Sequence, residues 1–224
     1  SSVITFGFDQ KNDYAAKNIR FNKLGHASFD LIKHGKKIIQ VDLSVPGKHN
    51  CLNALAALAT AEFHGIDLPL AVNNIKEFRG TDRRFQYKGY INGAAVIHDY
   101  AHHPTEVKAT LATLDVISHN KVWCVFQPHT YSRTKTLFND FVNAFDNVSE
   151  LFLTDIYAAR EKKDDSINSQ MLARALEEKG VRVTYEPSID IIAQTIRANA
   201  REGDVIMTLG AGNIEKINDL ILCK

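Results

Sequence analysis

Along residues 3–45 the apolar positions alternate with polar ones or gather in short blocks: "VITFGF", "IRFNKL", "ASFDLIKHG" and "KKIIQVDLSV", with Gly, Asn and Asp between them. A period near two over such lengths predicts β-strands. His34–Gly35, between two of these runs, predicts a hairpin turn. "PGKHN" at 46–50 breaks the pattern, and from Asn50 to His64 the period becomes helical. Leu52, Leu55, Ala56, Ala59 and Phe63 then fall three or four apart and share a face. Gly65 ends this helix. Pro69 opens a second one, carrying Leu70, Ile75 and Phe78.

Residues 78–89, "FRGTDRRFQYKG", form a polar, glycine-containing bridge. A domain boundary is expected near Gly80–Arg84. Beyond it strand and helix patterns alternate. Strands at 94–100, 121–127 and 150–156 precede helices at 104–117, 134–145 and 168–180. "VRVTYE" leads to a helix at 188–200, and "DVIMTL" leads to "NIEKINDLIL". This alternation predicts parallel strands joined by helical crossovers, an α/β, Rossmann-like doubly wound domain. Ligands of such sheets bind beyond the carboxyl ends of the strands. Three polar clusters fall at that edge: "DYAHHP", "QPHTYSRT" and "DIYAARE".

Composition narrows the classes. The 224 residues carry a formal net charge of +1, with 45% hydrophobic and 24% charged residues. That balance fits a soluble globular chain and not a general nucleic-acid binder. Cys51, Cys124 and Cys223 are far apart and form no C-x-x-C pair, so a disulfide framework or thiolate zinc site is not expected and a reducing cytoplasm is. No apolar run approaches the roughly 20 residues of a membrane span. The start at "SSVITFGF" suggests a fragment of a longer chain.

Each polar cluster admits a structural and a chemical reading. In "HDYAHHPTE", His98, Asp99, His102 and His103 are possible metal ligands, although adjacent histidines in an extended loop tend to point apart. Asp99 or Thr105 can cap the helix starting at Pro104, Thr105 being the expected cap. A carboxylate and an imidazole at a strand end can also orient an amine nucleophile. Arg133 lies at a helix entry, where the dipole disfavours a cation. It either grips an anion there or lies along apolar neighbours. Asn50 can cap its helix, and an asparagine amide such as Asn50 or Asn53 also matches the N6/N7 edge of adenine. Arg79, Arg83 and Arg84 suit phosphate contact or a solvated basic turn. "LGAGNI" lacks the full dinucleotide fingerprint, and helix–sheet packing accounts for its glycines. The charges of "DIYAARE" can be an ion pair that shapes the loop.

Taken in order, "VPGKHNCLNALAA", "FRGTDRRF", "HDYAHHPTEVKAT", "VFQPHTYSRT", "DIYAARE" and "GAGNI" resemble the Mur ligases over nearly the whole chain. Folylpolyglutamate synthase is a more distant relative. The resemblance implies an ATP-dependent ligase of peptidoglycan synthesis working through an acyl phosphate. The pairing of "DYAHHPTE" with "QPHTYSRT" points to the member joining L-alanine to UDP-N-acetylmuramate. It implies that residues 1–80 are the C-terminal part of the central ATP-binding domain and 81–224 the amino-acid-binding Rossmann-like domain. It implies ATP and Mg2+ as cofactors, with the main Mg2+ ligands and the phosphate loop outside this sequence, so that the chain alone is inactive. No nucleic acid, membrane or resident metal is expected.

By the same resemblance His49, Asn50 and Asn53 hold adenine, and Arg84, with Arg83, contacts ATP phosphate. Asp99 and His102 orient the amine. His129 and Arg133 grip the amino-acid carboxylate or acyl phosphate, and Tyr100 and His103 complete the pocket wall. Closure of the last domain would exclude water. Many members read Q-P-H-R where this chain has Thr130, so one cationic contact is absent or supplied elsewhere. On this reading Asp99→Ala abolishes turnover with the fold intact. The competing readings are a stand-alone nucleotide or amino-acid binding module, the related ligase of tripeptide recycling, and a metal domain built on His98, His102 and His103.

Overall fold

A computed structural model of the chain describes residues 3–223. Two compact units are present: the residues up to Gly80 with Thr113–Ile117, and Thr81–Ala112 with the residues from Ser118 on.

The first unit is a four-stranded sheet with two helices. Its strands are β1 (Phe6–Gly7), β2 (Tyr14–Phe21), β3 (His26–Lys33) and β4 (Lys36–Pro46), in spatial order β1-β2-β3-β4. β2, β3 and β4 form an antiparallel meander, and β1 runs parallel to β2. His34 and Gly35 both have positive φ, 45° and 76°, as the two-residue hairpin between β3 and β4 requires. Helices α1 (His49–Phe63) and α2 (Leu68–Glu77) follow. Their buried residues Cys51, Ala54, Leu55, Leu58, Leu68 and Val72 join Phe29, Leu31, Val41 and Leu43 in one core.

The face of α1 differs from expectation by about one residue. Its buried stripe is Cys51, Ala54, Leu55, Leu58 and Ala59, while Phe63 is 65% exposed. The helix is rich in alanine, which packs on any side, so the spacing alone let the large Phe63 pull the stripe round. In α2, Leu70 is exposed and Phe78 lies beyond the helix end.

The second unit contains β5 (Gln86–Ile91), β6 (Ala94–Asp99), all but the last two residues of α3 (Pro104–Leu114), β7 (Val122–Phe126), α4 (Tyr131–Thr136), α5 (Phe138–Val142) and β8 (Glu150–Leu153). It continues with α6 (Ser169–Glu178), β9 (Val183–Tyr185), α7 (Ile189–Asn199), β10 (Val205–Leu209) and α8 (Lys216–Leu222). The sheet order is β5-β6-β10-β7-β8-β9, parallel except for β5. The doubly wound α/β expectation holds here.

Two details differ. Part of the expected bridge is β5, an antiparallel edge strand joined to β6 by Asn92–Gly93, both at positive φ. The helix expected at 134–145 starts at Tyr131 and breaks at Leu137.

Alternation along the central strands sends residues to two cores. Ala94, Val96, Val125 and Ile206 meet Ile192, Ile196, Ile217 and Ile221 of α7 and α8. Residues of the other parity, including Phe126, are also buried, and Phe126 lies 5.5 Å from the ring of Phe141 in α5. β10 sits between β6 and β7, so the direction of winding reverses at it. The carboxyl ends of these three strands are therefore the switch point where open α/β sheets bind ligands. Among the described residues no helix is long and apolar enough to cross a membrane.

Candidate active site

β6 ends in Asp99, and the chain turns at once into α3. Asp99 is 5% exposed. Its Oδ1 accepts the Ala101 N–H and its Oδ2 the Phe85 N–H, both at 2.8 Å. Arg84 Nη1 lies 4.0 Å from Oδ1. Burial pushes the carboxyl pKa up and outweighs these hydrogen bonds and the nearby Arg84. Asp99 thus ties the loop after β6 to the segment before β5.

The helix behind that loop is capped differently from expectation. Thr105 does not cap it: the Thr105 N–H donates to His103 Nδ1 at 3.2 Å. Glu106, three residues into the helix, reaches back and accepts the N–H groups of His102 and His103 at 3.1 and 3.2 Å. This is a capping box with histidine as the cap. Burial raises the Glu106 pKa, but the two N–H donors, His102 and Arg84 bring it below the usual value. His103 is exposed, and its N–H and Nδ1 take part in this cap.

His102 is held otherwise. Its Nδ1 is 2.9 Å from the Tyr100 carbonyl and 3.4 Å from Glu106 Oε2. Both partners only accept, so Nδ1 carries the proton and Nε2 is left as an acceptor. His129, after β7, has its ring centroid 5.4 Å from that of His102. Arg133 Nη1 approaches His129 Nδ1 at 3.2 Å. A guanidinium only donates, so here Nδ1 accepts and Nε2 carries the proton. Burial, then His102 and Arg133, lowers the His129 pKa. Two neighbouring imidazoles thus offer one acceptor and one donor, with a guanidinium beside the donor.

His129 also stacks on Tyr157, with centroids 5.7 Å apart, and forms an isolated parallel bridge with it. Thr130 follows at φ 67°, its N–H donating to the Tyr157 carbonyl at 2.9 Å. The entry to α4 is occupied by a carboxylate of the chain itself: Glu161 accepts the Ser132 N–H at 3.0 Å and the Ser132 hydroxyl. These bonds hold its pKa down. The charges of "DIYAARE" therefore cap a helix rather than pair internally, and Asp155 accepts from Tyr185 at 2.6 Å.

The arginines of the bridge divide by environment. Arg83 has φ 63°, its Nε is 2.9 Å from Glu215, and its guanidinium lies 4.5 Å over the Tyr100 ring. Arg84 is 52% exposed, with carboxylates no nearer than 3.9 Å. In the "GAGNI" turn, a Cβ on Gly212 would strike Gln127 and come within 2.6 Å of Tyr157. These glycines serve close packing. His98 is fully buried, with Nδ1 2.9 Å from Thr208 Oγ1 and 3.1 Å from Thr208 O.

The edge therefore gathers Arg83, Arg84, Asp99, Tyr100, His102, His129 and Arg133. Glu106, Glu215 and Tyr157 support them. Glu106 was visible as the last letter of the histidine motif, at capping-box spacing. Glu215 had no local signal. His98, His102 and His103 point to separate partners, and among the described residues no group of three or more His, Cys, Asp or Glu side chains could hold a metal ion. His49, Asn50 and Asn53 lie in the first unit. Asn50 does not cap α1: its amide donates to Pro46 O at 2.7 Å and accepts from Asn53 at 2.9 Å. Asn53 is exposed.

The family model described as "Mur ligase, glutamate ligase domain" matches residues 83–212, and that of the Mur ligase middle domain matches 1–61. The chain belongs to the Mur ligase family. Its Mur ligase relatives include the UDP-N-acetylmuramate–L-alanine ligases of Clostridium acetobutylicum and Clostridium perfringens. They are 47% and 46% identical over 100% and 99% of this chain, and 48% of each relative is covered. This Mur ligase chain thus spans about half the length of the curated relatives it matches. The solved UDP-N-acetylmuramate-alanine ligase of Thermotoga maritima is 28% identical, with a TM-score of 0.80 over 98% of this chain and 47% of that one. A MurF ligase from Thermotoga maritima in complex with ADP shares the fold at 15% identity, with a TM-score of 0.72 over 97% of this chain and 48% of that one.

Proposed function

We propose that this Mur ligase chain works as part of an ATP-dependent ligase joining L-alanine to UDP-N-acetylmuramate in the cytoplasm, for peptidoglycan synthesis. The reading is carried by the His102–His129–Arg133 arrangement at the switch point of a Mur ligase chain 47% identical to a ligase of that name. In this reading residues 1–80 belong to the central domain and 81–224 to the domain that brings the amino acid.

Residue roles follow from the chemistry of each group. The Nε2 acceptor of His102 takes a hydrogen bond from the attacking amine. The Nε2–H of His129 and the guanidinium of Arg133 hold the amino-acid carboxylate or the acyl phosphate. Arg84, half-exposed with Asp99 and Glu106 4.0 and 3.9 Å away, contacts ATP phosphate, with Arg83 beside it. Tyr100 is the aromatic floor beneath both arginines. The exposed amide of Asn53, braced by Asn50 and beside His49, takes the adenine edge. The magnesium accompanying ATP is expected to find its main ligands outside this sequence.

The test is phosphate release from ATP in the longer polypeptide carrying this sequence. Release should require both UDP-N-acetylmuramate and L-alanine, and the 224-residue chain by itself should release none. Release with glycine but not L-alanine, or without the UDP sugar, would overturn the assignment.

A further inference from the structure

We infer that Glu215 is a positioning residue for the phosphate-binding arginine, acting through Arg83 and Tyr100. The inference rests on the proposed role of Arg84. Glu215 lies in the turn between β10 and α8, far in sequence from the bridge it contacts. Its Oε2 is 2.9 Å from Arg83 Nε, and Arg83 Nη2 also donates to Gly212 O at 3.4 Å. The first is an ion pair without hydrogen-bond geometry and the second a hydrogen bond, and together they anchor one guanidinium to one turn. That guanidinium lies 4.5 Å over the Tyr100 ring, and the Arg84 guanidinium lies 5.8 Å from the same ring. The Arg83 carbonyl accepts the Tyr100 N–H at 2.7 Å, so backbone and side chain bind the same pair.

What lies beneath Glu215 keeps it on Arg83. Asn218 donates from Nδ2 to Glu215 O at 2.8 Å, which turns its Oδ1 toward Thr208 Oγ1, 3.0 Å away. The Thr208 hydroxyl proton is therefore spent on Asn218. His98 Nδ1 must then be the donor to Thr208, and His98 Nε2 is a bare acceptor. That Nε2 is buried, has no hydrogen-bond partner, and is 3.9 Å from Glu215 Oε2. A lone pair repels a carboxylate, so within the protein the cation that Glu215 meets is Arg83 and not His98. One arginine is thereby neutralised and fixed, and its neighbour is left exposed to meet an anion. Without Glu215, Arg83 gains the freedom to swing off Tyr100, and its charge, no longer neutralised, repels the Arg84 guanidinium near the same ring.

The experiment uses the whole 224-residue chain, with ATP and inorganic tripolyphosphate as probes in calorimetric titrations. The variants are Glu215→Gln, Arg84→Met and both together. Glu215→Gln should weaken both probes about three- to tenfold, and the double variant should bind no worse than Arg84→Met alone, because coupled residues are non-additive. Glu215→Asp should restore part of the loss. The Arg83 Nε–H, buried beside the carboxylate and so protected from exchange with water, should give a resonance that broadens in Glu215→Gln. If Glu215→Gln is without effect, or its effect adds in full to that of Arg84→Met, the inference fails while the role of Arg84 stands. If Arg84→Met alone is without effect, the phosphate reading of that arginine fails, and the inference with it. Should Glu215→Gln not fold, the same cycle run with Glu215→Ala decides in the same way.

Discussion

Replacing Asp99 by alanine should cost the second unit stability as well as activity. The carboxylate accepts two backbone N–H groups at 2.8 Å, those of Phe85 and Ala101, at a position 5% exposed. A buried donor left without its acceptor costs about 1–3 kcal/mol, so two cost about 2–6 kcal/mol. Alanine also removes a buried charge, whose cost shows in the raised carboxyl pKa, and this returns part of the loss. A net destabilisation of about 2–4 kcal/mol is expected, against the 5–15 kcal/mol typical of a folded domain. Urea unfolding followed by Trp123 fluorescence measures it. Trp123 is the chain's single tryptophan, sits in β7 and donates to Asp204 at 2.9 Å, so it reports on this unit. Asp99→Asn keeps one acceptor oxygen and turns an NH2 toward the other donor, so it should recover no more than about half of the loss. A loss below about 0.5 kcal/mol for Asp99→Ala would refute the reasoning. The expectation that this substitution spares the fold therefore gives way to one in which turnover must be read beside the unfolding curve.

Other substitutions and pH test neighbouring parts. Glu106→Ala removes the acceptor of the His102 and His103 N–H groups and should cost about 1 kcal/mol in urea unfolding, with the Glu106→Gln loss smaller; equal losses would contradict the capping box. Gly212→Ala places a methyl group against Gln127 and Tyr157 and should destabilise by about 1–3 kcal/mol, whereas an unchanged unfolding midpoint would show that the turn is looser than drawn. Burial, then Arg83, lowers the His98 pKa to about 4. A histidine depressed in this way adds stability above its unfolded value near 6.5, and that stability is lost as pH falls from there through about 4. Proton NMR should show His98 titrating near 4 and His129 below 6.5, and titration of His98 at 6.5 or above would contradict its burial.

Much of the second unit was legible because its signals are local and mutually consistent. Short apolar strands alternate with amphipathic helices, and each polar cluster follows a strand. β5 was missed because its aromatic residues Tyr87 and Tyr90 face outward while Gln86 and Lys88 are half-buried, which inverts the expected alternation, although the Asn92–Gly93 pair that closes its hairpin was in plain view. The face of α1 was misplaced because five of its residues are alanine and carry no direction. In the site, the histidine motif announced itself by composition, but its division of labour did not. Which imidazole caps, which accepts and which is buried depends on Tyr100 O, Glu106 and Thr208, and only the fold brings these together. Glu215 could not be read at all, since its partner Arg83 is more than a hundred positions away.

The most direct test of the central claim is the L-alanine dependence of phosphate release in the longer polypeptide carrying Arg133→Met. Loss of a charge-assisted hydrogen bond is worth about 1.5–3 kcal/mol, so kcat/KM for L-alanine should fall about 10- to 100-fold while the KM for ATP stays within about twofold. An unchanged kcat/KM for L-alanine, or a loss confined to ATP, would contradict the placing of the amino acid at this edge of the sheet.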